Sequence, residues 1–291
     1  YTFQVNENLP RGADIGVVQA TDPDFTDNQR LVYSLLLPSD QFQINEYTGV
    51  ISTKQTLDRE MVDKYQLTVK VSDVGVPTAT AIVNIEIEVL DTNDNAPQFD
   101  QSGVYVVYVE ENQPKGHVVT TITAHDDDKG NNAEISYHLK EDPQGNYKLF
   151  NLHPRTGLLT TQEVLDHEKK DLYTLEVMAM DGGIPAQTTS TTIEVHVQDI
   201  NESGPEFDAP TLTFSIKENS APGSVVGVIK ARDQDSGDNG VVHYYIIGGN
   251  LFSMFGINQT TGSLYLEQSL DYEVASSYSV IVKAVDNSIT N

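Results

Sequence analysis

Cysteine and tryptophan are both absent from the 291 residues. Without thiols, disulfide redox chemistry, thiolate nucleophiles and cysteine-based zinc sites are excluded. The compartment stays open, because disulfides are common outside cells but not obligatory there. Basic residues are scarce: 17 Lys and Arg face 43 Asp and Glu, for a net charge of −26. A nucleic-acid partner is therefore not expected, since phosphate binding needs a basic footprint. Electrostatic docking onto anionic lipid is disfavoured for the same reason. No apolar run approaches the roughly 20 residues of a membrane-crossing helix, and no secretory leader is visible. What is present is 38% apolar residues in many short runs, which favours a folded chain over a disordered one.

The chain repeats itself. "VNENLPRG" at Val5 returns as "VEENQPKG" at Val109 and "IKENSAPG" at Ile216. "ATDPD" at Ala20 returns as "AHDDD" and "ARDQD", and "LDRE" at Leu57 as "LDHE" and "LDYE". "VSDVG" returns as "AMDGG" and "AVDNS", and "DTNDNAP" at Asp91 as "DINESGP" at Asp199. Glu7, Glu111 and Glu218 are spaced by 104 and 107 residues, as are Asp22, Asp126 and Asp233. Asp58, Asp166 and Asp271 are spaced by 108 and 105, as are Asp73, Asp181 and Asp286. One order at nearly one pitch gives three tandem units of domain size, over residues 1–97, 98–205 and 206–291.

Each unit is expected to be all-β. "YQLTVKVSD" alternates Tyr65, Leu67, Val69 and Val71 with polar residues, the two-residue period of a half-buried strand. The stripe returns at Tyr173 and at Tyr278, and "AIVNIEIEVLD" alternates likewise. Short strands and frequent turns within about 100 residues favour a seven-stranded Greek-key β-sandwich, with a barrel as the alternative. Only five residues follow Asp286, so the third unit is expected to lack its last strand and the chain to be part of a longer array.

On such a sandwich the loops fall at two poles. Glu7, Asp58, Glu60, Asp91 and Asp94 belong at the bottom of unit one, and Asp126, Asp128 and Asp181 at the top of unit two. End-to-end stacking would bring these eight carboxylates together. Two like charges at 4 Å repel by about 4 kcal/mol at an effective dielectric near 20, so the acids must protonate or take up cations. Calcium suits them best, with its 6–8 hard oxygen ligands; magnesium keeps its waters, and zinc would want His or Cys. With the Asn93 amide and a few carbonyls, about 20 oxygens would serve roughly three calcium ions. An EF-hand starting at Asp233 fails, because Asp238 and Tyr244 stand where it needs Gly and Glu.

In their order and spacing, these motifs resemble the extracellular cadherin repeat. The resemblance covers essentially the whole chain. It implies sandwiches in a row with three calcium ions at each linker. Linker one would use Glu7, Asp58, Glu60, Asp91, Asn93, Asp94, Asp126, Asp128 and Asp181, with carbonyls of Thr92, Asn95 and Asn132. Linker two would use Glu111, Asp166, Glu168, Asp199, Asn201, Glu202, Asp233, Asp235 and Asp286, with carbonyls of Ile200, Ser203 and Asn239. Glu202 and Ser203 depart from the family's usual Asp and Asn. Asp22, Asp24 and Asp73 have no upstream partners in the sequence, so an ion there would be incomplete. Absence of tryptophan gives no support for strand exchange by an anchoring tryptophan. The chain looks more like Fat, Dachsous or protocadherin-type molecules. The implied function is calcium-dependent cell–cell adhesion outside the plasma membrane, with another cadherin ectodomain as partner; the alternative is a structural spacer.

The acids alone could be solvated turns, but the shared register opposes that. The middle position of "DRE" becomes His167 and Tyr272 in the other units, so that slot is not expected to need a charge. The "TG" pairs at Thr48, Thr156 and Thr261 are expected to be turns. Sequons stand at Asn201 and Asn258; Asn201 is assigned to the metal set, leaving Asn258 as the glycosylation candidate. Paired carboxylates can hydrolyse glycosides, but these acids recur at one pitch, whereas an active site is normally built once. No nucleophile elbow, zincin or P-loop motif appears, and an enzyme is not expected.

Overall fold

Alternation of apolar and polar residues dictates nearly every element of the computed structural model, which describes residues 1–23, 30–74 and 77–287. Repeat one contains β1 (Thr2–Asn6), β2 (Asp14–Val17), β3 (Val32–Leu35), β4 (Phe42–Ile44), β5 (Val50–Thr53), β6 (Lys64–Ser72) and β7 (Thr80–Leu90). They form two sheets, in the orders β1-β7-β6-β3 and β2-β5-β4. β1 runs parallel to β7, with Val5 opposite Val89, and the other pairings are antiparallel. The expected stripes face inward: Val69, Val71, Ile85, Ile87 and Val89 are all buried.

Repeat two has the same plan with two of its strands interrupted. It contains β8 (Gln98–Phe99), β9 (Tyr105–Glu110), β10 (Val118–Thr121), β11 (Ala124–His125), β12 (Ser136–Leu139), β13 (Phe150–Leu152), β14 (Leu158–Thr161), β15 (Leu172–Met180) and β16 (Thr188–Gln198). The expected seven strands are thus nine segments here, since β8 and β11 form a separate two-stranded ladder. Repeat three contains β17 (Glu206–Phe207), β18 (Val225–Val228), β19 (Ala231–Arg232), β20 (His243–Gly248), β21 (Phe255–Ile257), β22 (Ser263–Leu266) and β23 (Ile281–Val285).

Among the described residues, no counterpart of β7 or β16 follows β23, as the sequence reading anticipated. The consequence is local. β6 and β15 are extended at Tyr65 and Tyr173, beside β7 and β16. The equivalent Tyr278 is outside any strand, and β23 is regular only where β20 runs beside it. Backbone N–H and C=O groups need partners, so strand structure follows the available ladder.

Each core repeats the same devices. Phe42, Phe150 and Phe255 meet Tyr65, Tyr173 and Tyr278 edge-to-face at 5.0, 5.6 and 5.6 Å. The buried tyrosines Tyr33, Tyr137 and Tyr244 accept from the amides of Ala20, Ala124 and Ala231, which satisfies each buried hydroxyl. The "TG" turns behave as expected. Gly157 has φ of +65°, and a Cβ there would lie 1.9 Å from the Ile122 carbonyl oxygen. No helix among the described residues is long and apolar enough to cross a membrane.

Candidate metal centres at the two linkers

The end of β1 carries the central acid of linker one. Glu7 is 2% exposed. One of its carboxylate oxygens accepts from the Arg59 amide and the other from the Thr92 amide, both at 2.8 Å. The acid therefore ties the turn before β6 to the segment leaving β7. Glu111 repeats this at the end of β9, accepting from the amides of His167 (2.8 Å) and Ile200 (2.9 Å). Glu218 accepts from the Tyr272 amide but is exposed, since no linker segment covers it among the described residues.

The two repeats meet in this region. Asp91 accepts at its Oδ2 from the Lys129 amide (3.1 Å) and from Asn132 Nδ2 (2.9 Å), both in repeat two. Asn95 Nδ2 donates to Asp94 within the linker and to Asp128 across it, each at 2.8 Å. Asn93 Nδ2 donates to the Pro185 carbonyl, and Gln187 returns a bond to the Asn93 carbonyl. Asp181, 3% exposed, holds the amides of Gly183 and Gln187. Asp126 accepts from the Asp128 amide. Carboxylate oxygens of Glu7, Glu60 and Asp94 lie within 4.8 Å of one another, as do those of Glu60, Asp91 and Asp128.

Linker two is built alike. Asp235 accepts from the amides of Glu202 and Ser203, and Asp233 from the amide of Asp235. Asp199 accepts from Asn239 Nδ2 at 2.7 Å and from the Ser236 amide. Glu111, Glu168 and Asp199 form one oxygen triad. Asn201 is exposed, and Asp286 immediately follows β23. Asp58 and Asp166 cap their own turns, accepting from the amides of Met61 and Lys169; neither belongs to a triad of this kind. Asp24 lies outside the described residues.

Several interactions go beyond the sequence reading. Arg59 is the largest: the expectation that its slot needs no charge did not anticipate that this side chain pairs with the surrounding acids. Its side chain is 11% exposed, with Nε 2.5 Å from Asp91 Oδ1 and 4.0 Å from Glu7. Its guanidinium also donates to Glu60 and to the Asp127 carbonyl of repeat two. A basic residue between two acids in so acidic a stretch was the available signal. The side chains of Asn95, Asn132 and Asn239 also take part, where the sequence reading assigned only their carbonyls. In linker two the equivalent His167 donates from its Nδ1 to the Val197 carbonyl of its own repeat at 2.7 Å.

Electrostatics reflects the crowding. Burial, then the nearby Glu7 charge, pushes the Glu60 carboxyl up to about 7. Burial, then its hydrogen bond with Asp199 and the Glu111 charge, brings Glu168 to about 7 as well. Asp126 and Asp128 are raised by burial first and then by neighbouring aspartates. Glu202 is raised by burial and by the charges of Glu111 and Asp235. Burial would lower the Arg59 pKa, but Asp91 and Glu60 raise it overall.

The donor set fits a hard cation. Asn93 Oδ1 and Asp126 Oδ2 at linker one, and Asp233 Oδ2 at linker two, are buried without a hydrogen bond, while the buried Asp91 Oδ1 faces Arg59 Nε. Buried oxygens without partners are costly, and an oxygen-coordinated ion would satisfy them. Away from the linkers, a groove of about 630 Å³ on repeat two is lined by Lys140, Asp142, Lys170 and Glu176. Its charges are engaged with neighbours: Lys140 pairs with Glu176, and Lys170 donates to Asn146.

Known proteins share this sequence pattern and fold. The profile of the cadherin domain matches residues 1–90, 105–198 and 212–291. Dachsous of Drosophila melanogaster is 37% identical over 305 aligned positions, covering 100% of this chain and 9% of that protein. The mouse cadherin EGF LAG seven-pass G-type receptor 1 is 36% identical, covering 98% and 9%. The chain thus spans less than a tenth of the length of these relatives. Among solved structures, mouse cadherin-23 repeats EC22–24 superpose with a TM-score of 0.82 at 32% identity, covering 98% of this chain and 90% of that one. The protocadherin gammaB7 EC3–6 cis-dimer structure gives 0.86 at 27%, covering 97% and 71%.

Proposed function

The chain belongs to the cadherin family, and from that premise we propose that it is a calcium-stiffened segment of an adhesion ectodomain. Its repeats run over residues 1–97, 98–205 and 206–291. The observation that carries this reading is the buried side-chain oxygens without hydrogen bonds at the linkers: Asn93 Oδ1 and Asp126 Oδ2, one from each repeat, at linker one, and Asp233 Oδ2 at linker two. At linker one the holding residues are Glu7, Asp58, Glu60, Asp91, Asn93, Asp94, Asp126, Asp128 and Asp181, with carbonyls of Thr92, Asn95 and Asn132. At linker two they are Glu111, Asp166, Glu168, Asp199, Asn201, Glu202, Asp233, Asp235 and Asp286, with carbonyls of Ile200, Ser203 and Asn239. About three calcium ions per linker match that many oxygens at 6–8 ligands each with sharing. Bound calcium supplies the positive charge that cancels carboxylate repulsion.

The protein's own part is orientation. Glu7 and Glu111 fix each linker segment to the repeat it leaves, and Asp128 and Asp235 fix it to the repeat it enters. Ligands on both sides of a junction set the interdomain angle. Extracellular modules of this kind bind calcium at about 10⁻⁴–10⁻³ M, which suits the outer side of the plasma membrane. Asp94→Ala is expected to leave each sandwich folded but soften linker one. Small-angle scattering in millimolar calcium checks this, and wild-type rigidity in that variant would sink the proposal.

The proposed partner is another cadherin-family ectodomain, in cis or in trans. A calcium-dependent dimer in analytical ultracentrifugation would support direct adhesion by these repeats. The chain's small share of its relatives' length favours a second reading, a spacer whose parent adheres through other repeats. A strict monomer that also ignores related ectodomains would support it. Asn258 is the proposed glycan acceptor. It is exposed in the turn between β21 and β22, where its Oδ1 accepts from Thr260. Endoglycosidase treatment of secreted protein should shift the wild-type mass and not that of Asn258→Gln.

A further inference from the structure

Asn8, Asn112 and Asn219 occupy the left-handed backbone region, with φ of 61°, 58° and 56°. All three backbone amides donate to the leucine before the "DxE" turn: Leu57, Leu165 and Leu270. Asn tolerates this conformation better than most residues, though glycine would suit it equally. Conformation alone therefore explains a small residue here, not an amide. The side chains supply the second reason. Asn8 Nδ2 donates to Asp94 Oδ2 and to Thr92 Oγ1. Asn112 Nδ2 donates to Glu202, the acid at the same place in linker two. Asn219 has the same backbone but no linker acid to reach among the described residues.

We infer that Asn8 and Asn112 are positioning residues that aim the acid at the fourth position of each linker segment, Asp94 and Glu202, into its site. This rests on the calcium reading above. The Asp94 carboxylate is held on both sides: Asn95 Nδ2 bonds Oδ1, and Asn8 Nδ2 bonds Oδ2. Each oxygen keeps a lone pair for a cation, while rotation of the carboxylate is restrained. In linker two, Ile200 stands where linker one has the Thr92 hydroxyl, and the longer arm of Glu202 reaches back to Asn112. The two linkers thus place different acids with the same amide. Partners that orient a ligating carboxylate are worth about tenfold or more in metal affinity.

The test uses the whole chain and calcium chloride, by isothermal titration after chelation. With linker two silenced by Asp235→Ala, Asn8→Gly should weaken binding at linker one by about tenfold. Chelated melting should stay unchanged, because glycine keeps the left-handed backbone. Asn8→Asp, which keeps the shape but loses the donor, should weaken binding at least as much. In an Asp94→Ala background, Asn8→Gly should cost nothing further, since its effect runs through that acid. Asn219→Gly should leave binding unchanged. Unaltered affinity in Asn8→Gly and Asn8→Asp overturns the positioning role, whereas no calcium binding by wild type overturns the calcium reading itself.

Discussion

Linker one and linker two present the same eight carboxylate positions but balance them differently. In linker one, Arg59 lies among the acids, pairs with Glu60 and Asp91, and reaches the backbone of repeat two at Asp127. In linker two, His167 occupies the slot but bonds the Val197 carbonyl of its own repeat. Linker one thus has a built-in cation and an extra strap across the junction. Glu111, Glu168 and Asp199 have neither from that slot. A repeated scaffold can keep its acids while one variable position changes the contacts made across the junction.

Calcium removal should separate the two most clearly. Unbalanced like charges destabilise a junction, and loosened segments become proteolytic targets. In chelator, limited proteolysis is expected to cut within 199–205 well before 91–97. Equal cleavage rates, read by mass spectrometry, would show that the Arg59 strap carries no weight.

Arg59→Gln should then erase the difference. The side chain is mostly buried and charge-paired, so its loss should cost about 1–2 kcal/mol of stability in chelator. Calcium affinity at linker one should rise at the same time, because the competing charge is gone. His167→Gln should move neither quantity by a comparable amount. Chemical denaturation paired with calcium titration reads both signs, and a parallel fall in stability and affinity contradicts the competition.

The smallest effect is expected from pH in calcium-free solution. Glu60 and Glu168 sit at about 7 in the folded chain, above an unfolded value near 4.3. The folded state therefore holds more protons between those values, and stability falls as pH rises through that window. His167 is also raised, by its bond to Val197 first and then by nearby acids; its contribution is likewise lost as pH rises. Linker two, with both groups, should show the steeper gain when chelated protein is moved from pH 7.5 to about 5.5. Junction-specific proteolysis at the two pH values checks this, and a flat response at both linkers contradicts it.

Much of this was legible in the sequence. The spacing of Glu7, Glu111 and Glu218 fixed the register, and the alternation from Tyr65 and Tyr173 marked two long strands. The stripe at Tyr278 was also visible, but it is only partly a strand, because regular pairing needs a neighbouring ladder. Arg59 was visible as a residue but not as a participant, since its direction depends on repeat two standing beside it. Asn8 and Asn112 likewise act on acids 86 and 90 residues away in the chain.

By itself, then, the sequence determined the three β-sandwich units, their order and the crowding of acids toward the junctions. Those properties come from short-range periodicity and from residue types repeated at one pitch. Only the tertiary structure decided which oxygens are left buried without hydrogen bonds, that Arg59 bonds across the junction while His167 bonds within its own repeat, and that two asparagines hold the linker acids. Each of these is a contact between loops from distant parts of the chain. Charge and hydrogen bonding act over a few ångströms, so the placement of those loops settles them.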